Sequence, residues 1–581
     1  MRSSSLRLAP WLLLLALAPG SQGRAEPEEG PSPYAVLGVD VEAVLARLSV
    51  EEKVGQLLFL GFGGTEMDET IAAFLDDKKP GGVALFGRNI KTLKQTLQLI
   101  RDVRSHDPVG IPMFVSVDQE GGNVVRLKRQ ATVPPSNMAV GATFSEELAR
   151  RTGAALGKDL ALMGFNMNLA PVLDVNSNPK NPVIGIRSFG GSPELVAKMG
   201  VAYVEGLQSE GVVAVAKHFP GHGDTSADSH FATPVLTHSK ERLMDVELRP
   251  FARAMAEGLD ALMTAHIALP AVAETPDLPA TVSANVLTGI LREQLGYDGL
   301  VITDGLEMHG IVSRYGSGEA AVRAVLAGAD MVMVLWFPEK KEEVHRALLD
   351  AVRTGRIPKE RLDSAVRRVL TAKARRGLFE RRLLSTDEAL AALKEGEHRR
   401  VVTEVAEGAI TLVKNEGDVL PLRPDQKTLV VATEPVFLAE LKKRLPGMEG
   451  VLLPPSATGA RMAREAQRVS ELAKGYDLVV FGVLNEDAAP LVARVKKQAP
   501  ERPVVVVSFG SPYLLSEFPD VEGYVCAFAF REESERAAAR VIVGESAPRG
   551  RLPVSLPTGQ GIGHGLDWAE AEPAGKRAAH P

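Results

Sequence analysis

Between residues 57 and 335 the chain sets out eight short apolar runs separated by longer amphipathic stretches. The runs fall at 57–62, 82–86, 113–118, 166–170, 212–217, 261–266, 300–304 and 331–335. Continuous apolar runs of this length read as strands buried on both faces, the habit of parallel sheets. The stretches between them, such as 92–104, 145–163, 193–210, 241–257 and 318–327, place apolar residues at helical spacing. Strand–helix alternation repeated eight times predicts an α/β fold, an N-terminal (β/α)₈ TIM-type barrel over 41–379. An open doubly wound sheet is the rival, because a count of strands does not establish closure.

A second, shorter alternation follows a charged linker at 380–399. Strands are expected at 428–433, 478–482, 504–509 and 524–529, with helices at 436–444, 460–474, 490–498 and 532–543. This predicts a smaller α/β/α sandwich domain over 400–557, then a flexible Gly-, Ala- and Glu-rich tail at 558–581. The chain starts differently. Arg2 and Arg7 precede an apolar run from Leu8 to Pro19, and small residues follow through Gly23 and Ala25. That is the pattern of a secretory signal peptide over 1–25, which predicts export to the periplasm or beyond. Residues 26–40, rich in Pro, Gly and Glu, read as a disordered lead-in. The signal's apolar core is too short to span a bilayer, and no later stretch approaches the needed length, so no transmembrane segment is expected in the mature chain. A net charge of −6 without any basic tract argues against nucleic acid as a partner. The one cysteine, Cys526, sits in an apolar run and reads as a core residue.

In a barrel the reactive groups gather where strands end. Those ends carry a consistent polar set: Asp118 after the third run, Lys217 and His218 after the fifth, His266 after the sixth and Asp304 after the seventh. The fifth opens into KHFPGHGDTSADSH, residues 217–230, where proline and glycines forbid a helix. Displacement at a sugar carbon fits this set. Asp304, followed by Gly305, suits the nucleophile that forms a glycosyl-enzyme. His230 suits the proton donor and acceptor, with Asp228 to orient it. Asp118, Arg126, Arg187, Lys217 and His218 would hold the sugar's polar substituents. The Pro–Gly–His–Gly segment between the two ends of the loop would let the far end move. A metal reading competes, since His218 and His222 are four apart with Asp224, Asp228 and His230 nearby. Pro220 and Gly221 deny that pair the helix its spacing needs, so neither a metal nor a cofactor is expected.

The loop 217–230, together with DQEGGNVVRL from Asp118, NLAPVLDVN from Asn168, IRSFGG from Ile186 and TDGLEM from Thr303, resembles family 3 glycoside hydrolases. Its bacterial β-N-acetylhexosaminidase (N-acetyl-β-glucosaminidase) branch is the most similar. AITLVKNEGDVLPL from Ala409 and PRGRLPVSLP from Pro548 resemble that family's second domain. The resemblance implies an exo-acting retaining enzyme that removes terminal non-reducing N-acetyl-β-D-glucosaminyl residues, from peptidoglycan- or chitin-derived saccharides. It implies Asp304 as nucleophile and Asp228–His230 as the pair that replaces the usual carboxylic acid. It also implies Asp118, Arg126, Arg187, Lys217 and His218 as sugar-binding positions. Asn123 departs from the arginine usual after DQEGG. The alternatives on this scaffold are a β-glucosidase, an N-acetylglucosaminide phosphorylase or a non-catalytic sugar-binding protein. Glu486, in the second domain, is a rival acid.

Overall fold

The computed structural model describes residues 35–36, 38–128, 130–229, 231–454 and 459–568. The expected signal peptide, most of the lead-in and the end of the tail lie outside these residues. Eight strands form the N-terminal sheet: Leu58–Gly61 (β1), Gly82–Leu85 (β2), Phe114–Val117 (β3), Met167–Asn168 (β4), Val213–Phe219 (β5), Ala261–Thr264 (β6), Leu300–Gly305 (β7) and Met331–Val334 (β8). Each is parallel to the next, and β8 pairs with β1 through Val332↔Leu58 and Met333↔Phe59. The sheet is therefore a closed barrel, and the open doubly wound alternative is excluded. β4 is short, and beyond it Val215 N donates to Ala170 O and Lys217 N to Pro171 O before the bridge Val172↔Lys217, Pro171 itself having no N–H to give.

Inward-facing residues fill the barrel. Phe59, Phe114, Met167, Val213, Val215, Leu300, Ile302 and Met331 are fully buried in one cluster. The helix Lys359–Arg375 closes the bottom with Lys373, whose Nζ donates to Gln56 Oε1 at 2.7 Å and lies 5.0 Å over the Phe114 ring. Burial pushes that ammonium down to about 7. Outside the sheet, Glu146–Met163 packs on Pro193–Ser209 where Gly153 meets Gly206; a Cβ on Gly206 would overlap the Arg150 carbonyl oxygen. The helix expected at 241–257 is broken. Lys240–Arg242 passes through a wider turn at Leu243–Glu247 before Arg249–Ala256, because Pro250 cannot donate to a continuous helix.

The second domain holds a six-stranded sheet of Thr411–Asn415 (β9), Thr428–Ala432 (β10), Glu449–Leu452 (β11), Leu478–Val483 (β12), Val504–Ser508 (β13) and Gly523–Cys526 (β14). Its order is β9-β14-β13-β12-β10-β11, parallel except for β9 against β14. The sequence pattern finds the four inner strands and misses both edges. β11 is largely exposed and β9 ends in Lys414 and Asn415, so neither reads as an apolar run. Three boundaries also need correction. The linker contains a helix, Thr386–Glu395, started by a reciprocal Ser385–Glu388 capping box. Residues 558–568, expected in a flexible tail, run back along the sheet: Gly563 N donates to Leu552 O and Leu566 N to Leu412 O, both at 2.8 Å. The end of the lead-in forms a short antiparallel pair, Ala35–Val36 with Val39–Asp40.

Candidate active site

The C-terminal ends of the barrel strands surround a cavity of about 1030 Å³. Asp118 follows β3 directly, and Lys217 and His218 lie within β5, which runs on to Phe219. Lys217 Nζ donates to Asp118 Oδ1 and to Glu120 Oε1, each at 2.6 Å. Arg126 Nη2 takes the other Asp118 oxygen at 3.0 Å. Arg187 grips Glu120 with two bonds, Nε to Oε2 at 2.9 Å and Nη2 to Oε1 at 2.8 Å. Burial alone would raise the Glu120 carboxyl, but Arg187 and Lys217 override it and hold it far below the usual range. Lys217 behaves in mirror image: burial opposes its charge, and Asp118 and Glu120 raise it above an ordinary ammonium. Glu120 and Lys217 thus hold each other's charge.

Asp174 organises the start of the loop. Its Oδ2 lies 2.7 Å from His218 Nδ1, and its Oδ1 accepts from the backbone N–H of His218 (3.1 Å) and of His222 (2.7 Å). Burial opposes the Asp174 charge, and His218 and His222 outweigh it, lowering the carboxyl. His222 is spent internally: Nδ1 lies 2.6 Å from Thr225 Oγ1 and Nε2 3.2 Å from Ser229 Oγ. Burial, then the neighbouring His218, pushes His222 down to about 4, so it is neutral at pH 7. The Pro–Gly–His–Gly segment is therefore no hinge. Gly223 packs so closely on the Val175 backbone that a Cβ would collide with it. In the metal nest considered above, Asp174 takes Nδ1 of His218, Thr225 and Ser229 take both nitrogens of His222, and His218 Nε2 lies 3.4 Å from the Arg187 guanidinium. Among the described residues Asp224, His238 and Glu247 bring possible ligand atoms within 4.8 Å of one another. There Asp224 Oδ2 meets His238 Nε2 at 2.5 Å and Arg242 Nη2 reaches Glu247 Oε1 at 3.1 Å, which ties the loop to the following helix.

Asp304 is the fifth residue of β7, and its Oδ1 accepts from Gly305 N at 2.7 Å. The next carbonyl is held as well, by the buried His266, whose Nε2 lies 3.0 Å from Gly305 O. Asp304 lines the same cavity as Asp118, Arg126, Arg187, Lys217 and His218. His230 lies outside the described residues. Its neighbours fix the loop there: Phe231 N and Ala232 N donate to Asp228 O at 3.0 and 3.1 Å, and Gly310 N to Ser229 O at 3.3 Å. Thr233 Oγ1 donates to Gly310 O at 2.7 Å. The far end of the loop is thereby pinned six residues beyond Asp304.

The second domain contributes no residue to the cavity wall among the described residues, and Glu486 sits on its own sheet, in the turn Glu486–Ala488 after β12. The domain instead backs the loops. Arg531 Nη2 donates to Gly122 O at 2.6 Å, Ser136 Oγ to Phe528 O at 2.8 Å, and Asn176 Nδ2 to Tyr513 Oη at 3.0 Å.

Comparison with known proteins agrees with this architecture. Residues 49–372 match the model of the glycosyl hydrolase family 3 N terminal domain, and residues 410–573 that of the family's C-terminal domain. The chain is a family 3 glycoside hydrolase. A protein named beta-hexosaminidase A from Pseudoalteromonas piscicida is 36% identical over 374 residues, which span 60% of this chain and 62% of that one. A beta-N-acetylglucosaminidase/beta-glucosidase from Cellulomonas fimi is 30% identical over 556 residues, 90% of this chain and 96% of that one. Among solved structures, a family 3 beta-N-acetylglucosaminidase from Paenibacillus sp. str. FPU-7 superposes with a TM-score of 0.81 at 37% identity, covering 89% of this chain and all of that one.

Within this glycoside hydrolase, Asp118, Lys217, His218 and Asp304 from the strand ends and Arg126 and Arg187 from the loops line one cavity. Glu120 and Asp174 are the additions. Both lie in the quoted motifs, but only the fold reveals them as the buried counter-charges on which the cationic residues are built.

Proposed function

We propose that this enzyme removes terminal non-reducing N-acetyl-β-D-glucosaminyl residues with retention of configuration, through a covalent intermediate on Asp304. One juxtaposition carries the reading: a carboxylate on a rigid strand end faces the same cavity as an ordered array of donors built on Asp118 and Glu120. Asp304 attacks the anomeric carbon from a fixed position, because Gly305 N restrains its carboxylate. His230 protonates the leaving oxygen and then deprotonates water, with Asp228 supporting its imidazolium. Lys217, Arg126, Arg187 and His218 hold the hydroxyl and acetamido groups. The names borne by the Pseudoalteromonas and Paenibacillus relatives support the N-acetyl-glucosaminyl preference. Peptidoglycan- or chitin-derived saccharides outside the cytoplasm are the proposed source, in keeping with the pattern of residues 1–25.

The Cellulomonas relative's double name favours a second reading, in which β-glucosides are also cleaved. A panel of p-nitrophenyl β-glycosides separates the two. Strong preference for the N-acetyl-β-glucosaminide is expected, and equal turnover of the glucoside would replace it with the broader reading. NMR of the first-formed product should show the β-anomer; the α-anomer would sink the covalent mechanism.

A further inference from the structure

We infer that the second domain carries a binding site of its own, for a small organic ammonium compound, in the crevice between β10 and β12. In an open parallel sheet, ligands settle beyond the carboxyl ends of the strands, where the strand order reverses. Here the chain runs from β10 outward to β11, then crosses back and continues through β12, β13 and β14. The reversal therefore falls between β10 and β12. A cavity of about 230 Å³ opens at that point and shares no lining residue with the one at the barrel mouth. Thr433 and Glu434 reach it directly after β10, and Leu484 and Asn485 directly after β12.

The lining decides the charge of the ligand. It holds the carboxyl groups of Glu434, Glu535 and, at the rim, the exposed Asp487, and among the described residues no lysine, arginine or histidine. The helix Pro435–Arg444 starts at this cavity, and the N-terminal end of a helix ordinarily receives an anion. That place is already taken from within the chain: Glu535 Oε2 accepts from Phe437 N, the third residue of the helix, at 3.0 Å. Glu434 is left over. It is only 5% exposed, and its Oε1 accepts from Thr433 Oγ1 at 2.5 Å. Its Oε2 is buried without a hydrogen-bond partner among the described residues. A Cβ on Gly482 would stand 3.2 Å from that oxygen, so the bare end of β12 keeps the space beside it open.

A buried carboxyl with one oxygen unmatched is costly. Burial raises both glutamates; for Glu535 the bond from Phe437 N offsets part of the rise, and the Glu434 charge adds to it. A bound ammonium supplies both missing elements, a positive charge and N–H donors. A metal ion fits less well, because the lining offers neither histidine nor cysteine and one oxygen of each buried glutamate is already engaged. The remaining wall is largely apolar, with Leu453, Phe481 and Phe530, and suits a compact hydrocarbon body behind the ammonium.

The probe is cyclohexylammonium, with cyclohexanol as its uncharged counterpart, and binding to the full chain is followed by saturation-transfer NMR titration at neutral pH. Cyclohexylammonium should bind more tightly than cyclohexanol by about tenfold or more, the worth of one charge-assisted hydrogen bond. Glu434→Gln, which keeps the shape and removes the charge, should weaken cyclohexylammonium by the same factor, whereas Asp304→Ala should leave it unchanged. Equal affinities for the two probes, binding of neither, or an unaltered affinity in Glu434→Gln would overturn the proposal. So would a loss confined to Asp304→Ala, which would put the amine in the barrel cavity. Should Glu434→Gln not fold, Glu535→Gln is expected to weaken cyclohexylammonium by about threefold or more, and an unchanged affinity there would overturn the proposal.

Discussion

Glu120 carries more of this site than its position in the motif suggests, and Glu120→Gln measures how much. The side chain is 1% exposed and meets three donors, from Arg187 twice and from Lys217. In the wild type Asp118 and Glu120 face Lys217, Arg126 and Arg187. Glutamine keeps the shape but leaves Arg187 without its buried counter-charge, and turns one acceptor into an N–H donor aimed at donors. Removing one partner of a buried pair costs about 3–5 kcal/mol. Lys217 keeps Asp118, so the lower figure, about 3 kcal/mol, applies. With a urea m-value of about 3 kcal/mol/M for a domain this large, the barrel midpoint should fall by about 1 M. The three tryptophans are Trp11, within the expected signal peptide, Trp336 in the barrel and Trp568 in the second domain. A Trp568→Phe background therefore lets fluorescence follow the barrel alone. A midpoint moved by less than about 0.2 M would refute the view that Glu120 is an essential counter-charge.

Two further outcomes test the loop. Replacing His230 with glycine should slow substrates with poor leaving groups by about 10²–10⁴ and dinitrophenyl glycosides far less, since only the former need protonation; equal losses would remove His230 as the acid. His222, lowered from 6.5 to about 4 by burial, must be neutral in the fold while an unfolded chain binds its proton. Its contribution is complete above about pH 6.5 and lost as the pH falls from there through about 4, amounting to about 3 kcal/mol at about 1.4 kcal/mol per pH unit. Urea midpoints of wild type and His222→Asn between pH 7 and pH 4 check this, and parallel pH dependences would contradict it.

The barrel was legible because its strands are buried on both faces and write themselves as apolar runs. Of the missed strands, β11 is a largely exposed sheet edge and β9 ends in the polar Lys414 and Asn415, so neither is written as a clean apolar run. The helix Thr386–Glu395 hid in a charged stretch, although Ser385 and Glu388 spell its capping box. At the site, residue type identified the cations and the terminal carboxylate. It could not separate Asp118, which faces the cavity, from Glu120, which lies beneath it, because both follow the same strand. Nor could it tell that His218 and His222 answer to one Asp174, which lies 44 residues before the first of them. Partnership between distant strand ends is a property of barrel closure, and no local pattern carries it.

The donor count explains why such a cluster suits a neutral sugar. An ammonium has three N–H donors, and Lys217 spends two of them on Asp118 and Glu120. Arg126 spends Nη2 on Asp118, while its Nε is buried without a hydrogen-bond partner among the described residues. The three cations thus share two carboxylates, Asp118 and Glu120, and retain donors. The retained donors point to hydroxyl and carbonyl oxygens as ligands, because a further carboxylate would add charge to a set that is already close to balanced. Asp304 brings a third carboxyl group to the cavity beside those of Asp118 and Glu120, facing Lys217, Arg126 and Arg187. On the proposed covalent route, an ester on Asp304 would leave Asp118 and Glu120 facing three cations, and the water that resolves the intermediate would be deprotonated beside that cluster. That setting favours the hydroxide-like character of the attacking water and places the demand for a base on the loop end held at Ser229 and Gly310.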